Sequence, residues 1–275
     1  MLAALMRNGH PVKALYRSPK DAVAVPPGVE AVIADFADLP AVQRALQGVD
    51  KVFLVCAPVP QLVELESNVI QASQKAGIQH LVLNSALGAG TFNSSFPSWH
   101  AQVEAILKRS TIPYSIIRPN SFMQNLITYY APTIRTQAAF YASMGKARVS
   151  FIDTRDIGEF VAKLFSDARH QGQTFELNGP EALNYDEVAE RIARVRGRAV
   201  RYVDLPPEQL RKSMLQSGMP QWQAEALLEL QRYYTEGGGG QVDDVFANVV
   251  GRQPTSLDLF LKEFAGKFAQ QAASA

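Results

Sequence analysis

The sequence predicts an α/β fold: a doubly wound parallel sheet with a smaller, mostly helical lobe. Three observations carry this. Lys51–Cys56 (KVFLVC), His80–Asn84 (HLVLN) and Tyr114–Arg118 (YSIIR) are nearly continuous apolar runs, as expected of strands covered on both faces. Amphipathic helical stretches alternate with them at short spacing, the pattern of right-handed crossovers. After Pro119 the pattern changes, first to an aromatic, irregular stretch and then to helices.

Residues 2–9 read as the tail of a helix, with Leu2, Leu5 and Met6 at helical spacing and Gly9 as its left-handed stop. Strand Pro11–Tyr16 follows, then a turn-rich connection and strand Val29–Ala34. Residues 39–47 form a short amphipathic helix stopped by Gly48, and residues 61–76 a longer one ended by Gly77. A helix over 98–109 separates the strands at 80–84 and 114–118. Residues 121–145 are irregular. Strand-like Val149–Ile152 leads to a helix opened by Asp153 or Thr154, and Thr174–Leu177 is the last sheet strand. From Asn184 the chain reads as helices at 185–196, 207–217, 220–236 and 256–271, with a short strand Val200–Val203. Gly237–Gly240 has neither the preceding strand nor the Lys-Ser/Thr of a phosphate loop, and reads as a flexible hinge.

A chain of 275 residues with 47% hydrophobic and 19% charged residues has ample material for a core. The net charge of +1 gives no electrostatic reason to expect nucleic acid or an anionic membrane as partner. A lone cysteine, Cys56, excludes an internal disulfide framework and fits a reducing, cytoplasmic compartment; within a buried strand it reads as inert packing. No apolar stretch approaches the roughly 20 residues that span a bilayer. His10, His80 and His170 lack ligand spacing, so no metal site is expected.

Three segments carry a family resemblance: IPYSIIRPNSFMQN at 112–125, VSFIDTRDIGEFV at 149–161 and TFELNGPEALNYDEVAERI at 174–192. The chain resembles the NmrA-like family of atypical short-chain dehydrogenases, whose Rossmann-type domain binds NAD(P). The resemblance implies an Asp-x-x-Asp helix start in the second segment and a Leu-x-Gly-Pro-Glu turn in the third. It divides the chain into a nucleotide-binding domain, 1–118 with 149–178, and a substrate or partner lobe, 119–148 with 179–275. It also implies a first strand and glycine-rich turn, on the order of 15 residues, ahead of the helix at 2–9. In strand order 3-2-1-4-5-6 that strand is central, between 11–16 and 51–56. Without it a slot of roughly 9–10 Å would separate those two strands. The expectation is therefore an upstream start or, failing that, direct pairing of 11–16 with 51–56 and poor NADP binding.

Candidate site residues follow from their places at strand ends. Arg17, with Lys20 nearby, stands where nucleotide-binding sheets meet the adenosine ribose; a cation there pairs with a 2′-phosphate and favours NADP over NAD. The resemblance puts Asp35 near the adenine amine, although an Asp after a strand is more often a turn or cap. It sets Ala57 and Pro58 along the ribose and nicotinamide side. Ser85 falls where the wider family has its Ser. Counting back from Val103-Glu104, the Tyr position holds Phe96 and the Lys position holds His100. A phenyl ring donates no proton, so carbonyl-to-alcohol reduction is disfavoured, whereas a quinone or activated alkene can take its proton from solvent or from His100. Pro119 and Asn120 end a strand where such sheets bind ligands. Trp99, Phe122, Met123 and Tyr129, with Gln124 and Asn125, read as walls of a pocket for a flat apolar substrate, or individually as core.

The resulting expectation is an NAD(P)H-dependent oxidoreductase acting on a small apolar acceptor such as a quinone, as monomer or homodimer. The alternatives are a non-catalytic NADP(H)-binding sensor that regulates a protein partner, which Phe96 favours, and a truncated, cofactor-free product.

Overall fold

The computed structural model describes residues 2–7, 11–22 and 25–269; the predicted stop at Gly9, His10 and the end of the predicted helix 256–271 lie outside them. The chain divides into two compact units, described in turn. The first comprises residues up to Pro119 with Arg155–Leu177 and Asn248–Gly251, and the second Asn120–Thr154, Asn178–Ala247 and residues from Arg252 on. In chain order the elements are α1 (Leu2–Arg7), β1 (Val12–Tyr16), β2 (Val29–Ile33), α2 (Leu39–Ala45), β3 (Lys51–Leu54), α3 (Leu62–Ala76), β4 (His80–Asn84), α4 (Ser95–Arg109) and β5 (Tyr114–Pro119). There follow a π-helical turn (Leu126–Tyr130), α5 (Ala131–Gln137), β6 (Ala139–Ala142), α6 (Thr154–Ser166), β7 (Thr174–Leu177), α7 (Tyr185–Arg196) and β8 (Arg201–Asp204). Helices α8 (Pro207–Gln216), α9 (Gln221–Thr235), α10 (Val245–Val250), α11 (Leu257–Glu263) and α12 (Ala265–Phe268) complete the chain.

In the first unit the strands pair in parallel, β1 with β2 and β3-β4-β5-β7 in that order. Leu81, Val82, Leu83, Ile116 and Ile117 are fully buried, which explains why β4 and β5 read as unbroken apolar runs. Helices α2, α3 and α4 supply Val42, Leu62, Val69, Ile70, Val103 and Leu107 to the same core. Among the described residues no ladder joins β1 to β3, so the direct pairing of 11–16 with 51–56 does not form. Strand β3 ends two residues short of the predicted Cys56, leaving Val55 exposed and Cys56 half-buried beyond the strand rather than packed inside it. Helix α4 starts at Ser95, three residues before the expected position; Pro97 is tolerated in a first turn, where backbone N–H groups have no intrahelical acceptor.

The second unit corrects the reading of 121–145 as irregular. It holds the π-helical turn, α5 and β6, the last pairing in parallel with β8. Val149–Ile152 is not a strand: Val149 bridges Leu183 and Ile152 bridges Phe122 singly. The core is aromatic, with Phe140 packed on Tyr130 at 5.1 Å between centroids, on Tyr202 at 5.6 Å and on Tyr185 at 5.8 Å. Helix α7 has the predicted bounds because Asn184 and Glu187 form a reciprocal capping box and Gly197 closes it in the left-handed region. The predicted helix 256–271 is instead α11 and α12 around Phe264, and α10 was not anticipated.

Gly237–Gly240 is no hinge. A Cβ on Gly239 would stand 2.4 Å from the Tyr234 ring, and one on Gly238 would stand 2.3 Å from that of Tyr233. The Gly239 carbonyl accepts from the Ser150 N–H at 2.9 Å and from Asn120 Nδ2 at 2.9 Å. These glycines permit close packing rather than motion.

Candidate functional site

Five predicted cofactor residues of the first unit lie at or just beyond the carboxyl ends of β1, β2 and β3, where open α/β sheets bind ligands. Arg17 follows β1, and both it and Lys20 are exposed with no ion pair among the described residues. Their loop is held by Asp21, which accepts from the Ser18 hydroxyl at 2.8 Å and the Ser18 N–H at 3.1 Å. Tyr16 is in register with Ile33, so the exposed apolar Ile33 borders Arg17. Asp35 shapes the turn after β2, its Oδ1 accepting from the Ala37 N–H at 2.9 Å. Ala57 and Pro58 are exposed after β3.

Ser85 follows β4 and is buried, and its hydroxyl is already committed. It donates to Glu104 Oε1 at 2.7 Å. Arg118 of β5 grips the same carboxylate bidentately, Nε to Oε1 at 2.8 Å and Nη2 to Oε2 at 2.7 Å, and Lys108 donates to Oε2 at 3.1 Å. Burial alone would raise the Glu104 pKa; the donors Arg118, Ser85 and Lys108 outweigh it and hold the carboxyl below its ordinary value. The sequence used Glu104 only to count positions and missed this cluster.

One turn before Glu104, His100 is buried, and its Nδ1 has no hydrogen-bond partner among the described residues. Burial pushes its pKa down to about 4, against the opposing pull of Glu104, so the imidazole is neutral at physiological pH. Phe96 is buried and meets Trp99 edge to face at 5.6 Å. Pro119 ends β5 and its carbonyl accepts from the Leu87 N–H. A second Ser–His pair, Ser115 and His80, sits at the amino ends of the strands. The Ser115 proton goes to the His170 carbonyl at 2.7 Å, so His80 Nε2 donates to Ser115 rather than activating it.

In the second unit two of the polar candidates, Asn120 and Gln124, are tied into internal hydrogen bonds. The Asn120 amide donates to Asn178 Oδ1 and the Gly239 carbonyl, and its Oδ1 accepts from the Ser121 N–H at 2.8 Å. Asn178 in turn donates to Asp243 at 2.7 Å. Gln124 accepts from the Thr154 N–H and donates to Asp153, tying down the start of α6. Met123 is core, Phe122 and Asn125 are half-buried, and Tyr129, carried outward by the π-helical turn, is half-exposed. Among the described residues no group of three or more His, Cys, Asp or Glu side chains could hold a metal ion, and no helix is long and apolar enough to cross a membrane.

Comparison with known proteins places this geometry. The sequence matches the NmrA-like family over residues 1–261. It is 33% identical over 242 residues to an NAD(P)H azoreductase of Xenophilus azovorans, covering 88% of this chain and 84% of the relative. The crystal structure of an Escherichia coli NADPH-dependent quinone oxidoreductase complexed with NADPH superposes with a TM-score of 0.86 at 25% identity, over 96% of this chain and 94% of that one. The negative transcriptional regulator NmrA in complex with NADP shares the fold, with a TM-score of 0.75 at 16% identity over 96% and 91% of the two chains. With its parallel sheet, its family segments and a match along nearly its whole length, the chain belongs to the NmrA-like family.

Proposed function

We propose that this protein is an NAD(P)H-dependent oxidoreductase that reduces a small apolar acceptor such as a quinone. The donor set at the strand ends fits a 2′-phosphorylated dinucleotide: Arg17, next to the exposed apolar Ile33, and Lys20 in the same loop are exposed cations. When bound, the reduced nicotinamide supplies a hydride. The chain's own residues then decide which acceptor suits it, and the observation that carries the choice is Phe96. It occupies the acid's position with a ring that cannot donate. Neutral His100 and a Ser85 whose proton is held by Glu104 do not replace it. An acceptor whose reduced form takes its proton from water needs no such acid, and a quinone meets that requirement.

The relatives named above support the reading, since by their names one is an NAD(P)H azoreductase and the other an NADPH-dependent quinone oxidoreductase. We place the activity in the cytoplasm, on a small molecule, in a monomer or homodimer. Phe96 also favours a second reading, an NADP(H)-binding regulator without turnover. NADPH oxidation with a panel of quinones separates the two. Nucleotide binding with no oxidation above background for any acceptor would leave the regulator. Within the enzyme reading, Phe96→Leu keeps the rate within about a few-fold, because no proton transfer is lost. Arg17→Ala lowers the preference for NADPH over NADH by about tenfold, the effect of one charge-assisted pair worth roughly 1–3 kcal/mol. An unchanged ratio of the two dissociation constants would remove Arg17 from the site.

A further inference from the structure

Glu66 lies one turn into α3, fully buried, and neither of its carboxyl oxygens has a hydrogen-bond partner among the described residues. The contrast with Glu104, which holds Arg118, Ser85 and Lys108, is direct: one buried acid is saturated with donors and the other has none. A buried polar group without a partner is costly, so the position calls for a specific reason. Its surroundings supply one. Cys56, at the carboxyl end of β3, is its neighbour; the Cys56 N–H approaches the carboxyl without completing a hydrogen bond, and the next two residues are the exposed Ala57 and Pro58. Two residues along α3, Asn68 donates to the Phe36 carbonyl at 2.9 Å and ties the helix to the turn that carries Asp35. Glu66 therefore lies beside Cys56 at the carboxyl end of β3, next to the strand end assigned above to the dinucleotide.

We propose that Glu66 is a positioning residue for the dinucleotide: its side chain, fully buried beside Cys56 with no hydrogen-bond partner among the described residues, fills the space behind the Cys56–Pro58 segment against which the cofactor packs. The inference rests on the nucleotide-binding reading above. Burial raises the Glu66 pKa to about 8, opposed only by the Cys56 N–H. The titratable groups around this corner are the Cys56 thiol, raised to about 11 by burial and by Glu66 itself, and the Asp35 carboxylate. Of the helices packed on α3, α2 carries Arg44 and α4 carries Glu104, Lys108 and Arg109, and among the described residues none of these makes an ion pair or hydrogen bond with Glu66. Below pH 8 the acid is neutral and the segment is supported. Above it, a charge confined in an apolar corner draws water or moves outward, and the strand end moves with it.

The test is the NADPH dissociation constant between pH 7 and pH 9 for protein expressed from the native gene, with Glu66→Gln as the uncharged isostere and Glu66→Leu as the apolar control. If only the neutral form supports binding, wild-type affinity falls about tenfold over that range, following the protonated fraction of an acid with its midpoint near pH 8. Glu66→Gln binds within about twofold of wild type at pH 7 and stays flat to pH 9, because it has no proton to lose. Glu66→Leu is weaker at pH 7 and equally flat. Thermal midpoints recorded at each pH separate positioning from stability: a purely structural acid shifts the midpoint and leaves the affinity of the folded protein unchanged. A wild-type profile flat from pH 7 to pH 9, or a Gln variant with the wild-type slope, overturns the proposal and leaves the nucleotide-binding reading standing. Absence of NADPH binding at every pH overturns both.

Discussion

Ser85, Glu104 and Arg118 show how one residue's role depends on what its hydrogen-bonding groups already do. By position Ser85 is a catalytic candidate, but its single proton is spent on Glu104, which makes it part of a buried ionic clasp between α4 and β5. Removing one member of a buried pair leaves the other uncompensated. Glu104→Gln is therefore expected to lower unfolding stability by about 3 kcal/mol at pH 7, measured by urea titration. The sign with pH follows from the depressed folded pKa. Glu104 contributes stability above its unfolded value near 4.5 and loses it as pH falls through the folded value, so the gap between variant and wild type narrows in acid. A gap unchanged from pH 7 to pH 3 would mean that the clasp carries no charge-dependent stability. The same accounting makes Asn120 and Gln124 internal ties of the second unit: both Asn120 amide protons are engaged, and Gln124 both donates and accepts there.

At the scale of elements, the turn Leu177–Glu181 is built around a backbone contact rather than a side chain. A Cβ on Gly179 would stand 1.8 Å from the Phe151 carbonyl oxygen, a backbone atom that cannot move aside cheaply. Gly179→Ala is expected to cost about 3 kcal/mol or more, or to prevent folding, because the clash must be relieved by main-chain shifts. Gly266→Ala is its control: that position lies in α12 with open space around it and no positive φ, and the substitution is expected to be neutral or to stabilise by up to about 1 kcal/mol through helix propensity. Equal midpoints for the two variants in thermal unfolding would show that the Gly179 contact is not the constraint described. The π-helical turn works at the same scale, since its wider winding sets Tyr130 in the aromatic core and leaves Tyr129 half-exposed.

Across the whole chain, stability is unevenly distributed. In the first unit β4 and β5 are nearly inaccessible to solvent, whereas most residues of β1 and β2 are partly or fully exposed and their ladder ends at β1. Opening β1 and β2 exposes less new apolar surface and so costs less. In amide hydrogen exchange, β1 and β2 should exchange before β4 and β5, the latter only with global unfolding. NADPH should slow exchange at Tyr16–Arg17 and at Cys56–Ala57 first, since binding stabilises whatever contacts it. Uniform protection across all four strands would contradict this.

The sequence by itself determined the fold class, the strands from β3 to β5, the capped bounds of α7 and the family, because apolar period, capping chemistry and contiguous segments are local properties of the chain. The exposed Arg17 was legible for the same reason: a cation directly after a strand is placed by the strand alone. The buried stripe of α3, Leu62 with Val69 and Ile70, sets Glu66 as an acid on an apolar face, a signal that helical periodicity carries. Only the tertiary structure decided what that acid and Glu104 do. Whether a carboxylate meets an arginine or meets nothing depends on residues far away in sequence. The same holds for the glycines at 179, 238 and 239, whose need for a bare Cα comes from a neighbour's carbonyl or ring. It holds as well for β6, within a stretch read as irregular, which exists because it pairs with β8, the short strand that the sequence did mark at Val200–Val203.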